Sequence, residues 1–217
     1  MTDPASASAI VLHGYFRSSA SWRVRIALAL KGLGYGQQTY RLRMDEQRSE
    51  SFLALNPQGL VPALEIDGAV LTQSLAICEY LDETVPEPPL LGETALARAK
   101  IRAFAQVIAC DTHPLQNLKV LAKLRSLGLD EQAANGWARD VVSDGLAVCA
   151  RLLPDPGSNF CFGQRATLAD VCLIPQMANA RRFGVDMVWP ELERIERHCL
   201  ALPAFRDTAP SNQPDAV

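Results

Sequence analysis

The sequence lacks the features that would place it in a membrane, outside the cell or on nucleic acid. No apolar run approaches the ~18 residues of a membrane span. Residues 1–9 carry no basic stretch followed by an apolar one, the pattern of a secretory signal. Both absences lead to the expectation of a cytoplasmic chain. There is no positive excess either: 21 Lys and Arg stand against 24 Asp and Glu, a formal net charge of −3. A non-specific nucleic-acid binder carries the opposite balance. The six cysteines form no C-x-x-C pair and no metal-ligand spacing, so reduced thiols are expected, with no disulfide framework and no metal centre. Internal repeats and low-complexity tracts are absent as well.

What remains is a chain of 217 residues, 48% hydrophobic and 21% charged, enough for one large domain or two small ones. Its texture changes near residue 85. Before that point short apolar runs alternate with helical patterns: a strand over 10–16, a helix over 19–31, a weaker strand over 37–42 and a helical turn over 51–55. Two short strands over 63–66 and 69–71 flank Asp67-Gly68, a strong hairpin signal because a type I′ turn needs positive φ at both central residues. A helix over 73–84 follows. Residues 85–92 contain Pro86, Pro88 and Pro89 and read as a linker. Beyond it the pattern is helical throughout: 95–111, 115–127, 131–153, 167–182 and 190–200. Residues 209–217 read as a polar tail that frays. The spacing therefore predicts an α/β unit followed by an all-α one.

Two constellations carry chemistry. Arg17-Ser18-Ser19-Ala20-Ser21 lies where the first strand meets the first helix. A serine there caps free N–H groups, but a helix N-terminus also stabilises an anion, and a serine hydroxyl can donate to a bound thiolate and lower the thiol's pKa. The stretch from Asn56-Pro57 through Val61-Pro62, leading to Gln73-Ser74, places a proline-fixed loop before another helix N-terminus. Such a loop can hold a peptide, Val61 through its backbone and Ser74 with the helix N–H groups through an α-carboxylate. Thr167-x-x-Asp170 has the form of a capping box and is read as structural. The cysteines are read as core fillers, and most arginines as solvated surface. Trp22 is read as a packing residue.

These motifs resemble the zeta class of glutathione transferases, the family of maleylacetoacetate isomerase and maleylpyruvate isomerase. The resemblance rests on Ser18-Ser19, Trp22 to Leu28, Val61-Pro62 and Gln73-Ser74. It continues through His113-Pro114-Leu115-Gln116-Asn117, Leu168 to Gln176 and Ala180 to Asp186, and so covers nearly the whole chain. It implies a thioredoxin-like N-terminal domain over 8–85 that binds glutathione, an all-helical C-terminal substrate domain over 93–209, a cis bond before Pro62 and a homodimer. By position it implies Ser18 as the hydroxyl that activates glutathione, with Ser19 beside it. Gln47 and Val61 match contacts to the cysteinyl-glycine part, and Gln73 and Ser74 the groups that hold the γ-glutamyl end. His113 and Asn117 match cofactor-binding positions lining the active site. Arg17, abutting the serines, and Arg182 are the arginines expected to serve the carboxylates of a small dicarboxylate substrate, Arg17 also the catalysis. Many members have cysteine where this chain has Ala20, so the sulfur must come from glutathione.

The implied reaction is glutathione-dependent cis-to-trans isomerisation of maleylacetoacetate by reversible thiolate addition. Maleylpyruvate isomerisation, glutathione conjugation and a non-catalytic transferase-like binding module are the alternatives. His113 leans toward the maleylpyruvate branch and Gln116-Asn117 toward the maleylacetoacetate branch.

Overall fold

The computed structural model describes residues 10–216. Residues 1–9, read above as lacking a secretory signal, lie outside the described residues. The chain divides into two compact units: one runs to Pro88 and takes in the chain again from Asp207, the other is Pro89–Arg206.

The first unit is built on a four-stranded mixed sheet in the order β2-β1-β3-β4. Strand β1 (Val11–Gly14) runs parallel to β2 (Gly36–Thr39), with Leu12 opposite Gln37, because helix α1 (Ser19–Leu30) provides the crossover that parallel neighbours require. Strand β3 (Ala63–Ile66) is antiparallel to β1, Leu12 facing Leu64, and turns into β4 (Ala69–Thr72). Asp67 and Gly68 sit at φ 51° and 76°, the two positive angles that a type I′ turn demands. Between β2 and β3 the chain makes two 3₁₀ turns, Leu42–Met44 and Glu46–Arg48, and the short helix α2 (Glu50–Leu55). Phe52 of α2 is buried edge-on against Tyr40, ring centroids 4.6 Å apart. Helix α3 (Ser74–Thr84) packs on α1. This is a thioredoxin-like fold.

Helix α1 is buried over nearly its whole length, Trp22 and Val24 to Leu28 included, which makes it a core helix and not an amphipathic surface one. Its two arginines correct the expectation of solvated side chains: Arg23 and Arg25 are each 2% exposed. Buried guanidiniums need protein acceptors: Arg23 donates through Nη1 to Ser74, and Arg25 through Nε, Nη1 and Nη2 to backbone carbonyls. Lys31, past the helix end, is likewise buried, bonded to Asp82 Oδ1 and the Pro88 carbonyl at 2.7 Å each. The chain end also departs from expectation. Residues 207–216 do not fray: Thr208 Oγ1 accepts from Trp22 Nε1 at 3.1 Å, and Gln213 Oε1 from Gln37 Nε2 at 2.9 Å.

The second unit is helical: α4 (Ala95–Gln106), α5 (Leu118–Ser126), α6 (Glu131–Leu152), α7 (Leu168–Arg182), α8 (Pro190–Ala201) and the short α9 (Pro203–Arg206). The helix expected to run unbroken over 95–111 instead widens into a π-helix, Val107–Thr112, and tightens into a 3₁₀ turn, His113–Gln116. Pro114 offers no N–H, so the α ladder cannot pass, and Asn117 caps a fresh helix by accepting from Lys119 N at 3.2 Å. Gly145 of α6 lies where the π-turn approaches: a Cβ there would overlap Thr112 Oγ1. Thr112 returns its hydroxyl to the Val107 carbonyl at 2.8 Å.

Candidate active site

Ser18 is the N-cap of α1. Its Oγ accepts from Ser21 N at 3.2 Å, closing one of the free donors of the first turn. That leaves the hydroxyl proton, which bonds no acceptor among the described residues. No acidic residue occupies the first turn of α1, so no side chain of the helix neutralises its positive end. Ser19 is buried and Ala20 half-buried, while Arg17 is exposed with its guanidinium 5.8 Å from the Phe16 ring centroid.

The loop from Asn56 to Pro62, read in the sequence as fixed by its prolines, is organised by Asn56. Asn56 is 2% exposed; its Oδ1 accepts from Gln58 N at 3.1 Å, and its Nδ2 donates to the Leu60 carbonyl at 2.7 Å. Such self-bonding is what lets an Asx residue shape a turn. Gly59, at φ 62°, brings this loop onto the 3₁₀ turn that carries Gln47: an added Cβ would stand 3.3 Å from the Gln47 carbonyl. The Gln47 Oε1 is buried and accepts no hydrogen bond among the described residues, although its Nε2 donates to Asp45 at 3.3 Å. The Val61–Pro62 bond is cis, and so is Glu87–Pro88.

Gln73, at the head of α3, is held at φ 68° and ψ 112°, a conformation rare for a residue with a side chain. Strain of this kind collects where a site needs a particular backbone placement. Its Nε2 donates to Gln58 Oε1 at 2.8 Å, linking the loop to the helix. Ser74 is buried, and its Oγ accepts from Arg23 Nη1 at 3.3 Å, which ties α3 to α1 and leaves the hydroxyl proton for another acceptor. Like α1, helix α3 has no acidic residue in its first turn. In the first unit the loop that carries Val61 thus lies close to Gln47 at Gly59 and is bonded to Gln73 through Gln58, while Arg23 ties Ser74 to α1.

In the second unit His113 opens the 3₁₀ turn and Asn117 caps α5; both are half-buried. The Oδ1 of Asn117 is taken by the helix, so what it can offer a ligand is its amide N–H. Arg182 ends α7, exposed, with its guanidinium 4.7 Å from the Phe183 ring centroid. Its neighbour Arg181 is committed to Glu196, two bonds of 2.5 Å. Glu196 raises Arg181 above its ordinary value through those bonds and keeps it charged. Five cysteines are buried and Cys110 is exposed. Burial pushes Cys149 up to about 12 and raises Cys161 and Cys199 further, so these are inert thiols and no source of a nucleophile.

A thioredoxin-like unit with a serine hydroxyl at the head of its first helix, a cis-proline loop and a second open helix N-terminus defines a glutathione transferase. The comparisons agree: the glutathione S-transferase N-terminal domain family matches residues 17–84. The maleylacetoacetate isomerase of Pseudomonas aeruginosa is 49% identical over 208 residues, covering 94% of this chain and 97% of that one. A bacterial zeta-class maleylpyruvate isomerase in its holo form superposes with a TM-score of 0.93 at 42% identity, covering 95% of this chain and 100% of the other. The maleylacetoacetate isomerase of Anaeromyxobacter dehalogenans, solved with dicarboxyethyl glutathione and citrate in its active site, gives 0.86 at 41% identity, with 96% and 94% coverage. The chain belongs to the zeta-class glutathione transferase family, that of the maleylacetoacetate isomerases, and is a glutathione-dependent isomerase. Its own residues fit the cofactor: an orphaned buried acceptor at Gln47, two unneutralised helix N-termini and hydroxyl protons at Ser18 and Ser74 suit a peptide with one ammonium, two carboxylates and a thiol.

Proposed function

We propose that the chain converts maleylacetoacetate to fumarylacetoacetate, in the cytoplasm, within aromatic amino acid catabolism, as a homodimer. The first unit is the glutathione-binding domain and the second the substrate domain. The observation that carries this reading is the state of Ser18: its oxygen is engaged by Ser21 N, its proton is uncommitted, and the helix end behind it holds no acid. When bound, glutathione would supply the thiolate for reversible addition to the double bond, its elimination restoring the double bond in the trans form and returning the cofactor unconsumed. Ser18 donates its proton toward the sulfur, and the α1 N-terminus favours the anionic form. Ser19 stands next to it in the first turn. Gln47 and the Val61 backbone hold the cysteinyl-glycine part. Gln73, Ser74 and the N–H groups of α3 hold the γ-glutamyl end. His113 and Asn117 are the cofactor-binding groups of the second unit. Arg182 and Arg17 bind the substrate carboxylates as bidentate donors, Arg17 also stabilising negative charge that develops on the carbonyl oxygen.

A second reading, maleylpyruvate isomerisation, is favoured by His113 and by the superposition at a TM-score of 0.93 on an enzyme of that name. The test is the isomerisation rate with both substrates, with and without glutathione. Turnover that needs glutathione and consumes none is expected, and the faster substrate fixes the branch. Consumption of glutathione makes the chain a conjugating transferase; no turnover and no glutathione binding make it a non-catalytic module. Sedimentation of the purified chain checks the homodimer.

A further inference from the structure

The returning chain end grips the segment that leads into Ser18. Arg25 lies at the centre of that grip. Its Nε donates to the Thr208 carbonyl at 3.0 Å, its Nη2 to the Phe16 carbonyl at 2.9 Å and its Nη1 to the Tyr15 carbonyl at 3.5 Å. The same Tyr15 carbonyl accepts from Ser18 N at 3.0 Å, the bond that closes the turn in front of α1. On the other side Asp215 Oδ2 accepts from Phe16 N at 3.0 Å. The Phe16 residue is therefore held at both backbone groups, its carbonyl by Arg25 and its N–H by the chain end. Burial pushes Arg25 down to about 10, with Tyr35 and then Asp215 working against that shift, so Arg25 stays cationic at neutral pH. The Asp215 Oδ1 is itself buried and bonds no group among the described residues.

We infer that residues 207–216 form a strap, and that Arg25 and Asp215 are positioning residues which, through the Tyr15 and Phe16 peptides, set the placement of the Ser18 hydroxyl. The inference rests on the reading of Ser18 as the group that activates glutathione. A loop of four residues between a strand and a helix has several conformations open to it. A hydrogen bond from Ser18 to a thiolate tolerates only one, and misplacement by a fraction of an ångström is felt in rate.

The experiment uses the full chain with Asp215→Ala and Asp215→Asn. Asn retains an acceptor for Phe16 N but not the charge. Besides the steady-state kcat and KM, two quantities are read: the pKa of the bound glutathione thiol, from thiolate ultraviolet absorbance, and hydrogen exchange of the peptide spanning residues 15–18. For Asp215→Ala the expected result is faster exchange, a thiol pKa raised by about half a unit and kcat lowered about tenfold. KM for glutathione should stay within about twofold, and Asp215→Asn should recover most of the loss. Faster exchange with an unchanged thiol pKa and kcat makes the strap a tether only and overturns the positioning role. No change in either quantity overturns the strap itself. Wild-type protein that binds no glutathione defeats the Ser18 reading, and the inference with it, before any variant is made.

Discussion

Two helix N-termini in this chain receive opposite treatment. At α7 the positive end is filled from within: Asp170 is completely buried and accepts from Thr167 N at 2.7 Å, Thr167 Oγ1 at 2.9 Å and Cys161 N at 2.8 Å, completing a capping box. At α1 the N-cap is the neutral hydroxyl of Ser18, and no acid stands in the first turn. Both ends carry the same partial charge by construction. The first is closed by a carboxylate of its own chain and is spent on stability; the second is left for an anion that arrives from outside. An open end is less stable than a closed one, and α1 is kept in place by other means: burial on all sides, the Arg23 link to Ser74 and the Arg25 link to the chain end.

The largest expected effect lies at the closed end. Asp170→Ala orphans two buried backbone donors, Cys161 N and Thr167 N, each at about 1–3 kcal/mol. Urea unfolding should show a loss of about 3 kcal/mol or more, with the thiol pKa of bound glutathione unmoved in the fraction that folds. Next is Ser18→Ala at the open end, where the order reverses. The lost cap costs about 1 kcal/mol of stability, while kcat/KM should fall on the order of 100-fold. Near-normal turnover would remove Ser18 from the chemistry and leave both serine and aspartate as plain caps. A third substitution converts one end into the other. Ala20→Asp places a carboxylate in the first turn of α1; it should stabilise the helix by about 0.5 kcal/mol and raise KM for glutathione about fivefold by occupying the field the thiolate uses. An unchanged KM would mean that the helix end contributes nothing to the cofactor. In the second unit Arg182→Ala should chiefly raise KM for the dicarboxylate, by about tenfold, with kcat preserved.

The difference between the two ends also marks what was legible in the sequence. Thr167-x-x-Asp170 and Asp67-Gly68 act over three residues or fewer, so their residue types alone specify them, and both stand as read. The α/β-then-all-α layout and most element boundaries follow from local periodicity for the same reason, whereas the thioredoxin-like fold is what the family resemblance implies. The roles given to Gln47, His113, Asn117 and Arg182 come through family resemblance, because nothing in their local pattern distinguishes them, whereas Val61 is marked by the proline-fixed loop it sits in. What was not legible depends on distant partners. The tail was read as fraying because its residues are polar and small, yet Asp215 bonds a backbone group 199 positions earlier. Arg23 and Arg25 were read with the surface arginines, although a signal was available: they alternate with Val24 and Ile26 in a run without acids, where only backbone carbonyls and hydroxyls can satisfy them. The π-turn before His113 depends on Gly145 admitting Thr112, a coincidence of two helices that no single segment announces.

The smallest effect is a matter of pH, and it discriminates between two kinds of carboxylate. Complete burial raises Asp170 above its ordinary value, the bonds from Cys161 and Thr167 offsetting this only in part. In the native state it therefore binds a proton more readily than in the unfolded chain. Its contribution to stability is full below the unfolded value near 3.8 and declines as pH rises through the folded value. Half-buried Glu46 is the opposite case: its bonds from Arg41 lower it, so its contribution is present above the unfolded value and lost as pH falls. The comparison with Asp170→Asn, which cannot titrate, isolates the first term. The stability of the wild type relative to that variant should grow as pH is lowered from 7 toward 4, by urea midpoints at matched ionic strength. A difference that shrinks instead would make Asp170 an ordinary depressed capping carboxylate, held by its hydrogen bonds more than it is penalised by burial. The closed end of α7 would then be the more stable of the two at neutral pH by a wider margin than its burial implies, and the open end of α1 would stand out further as the site reserved for a ligand.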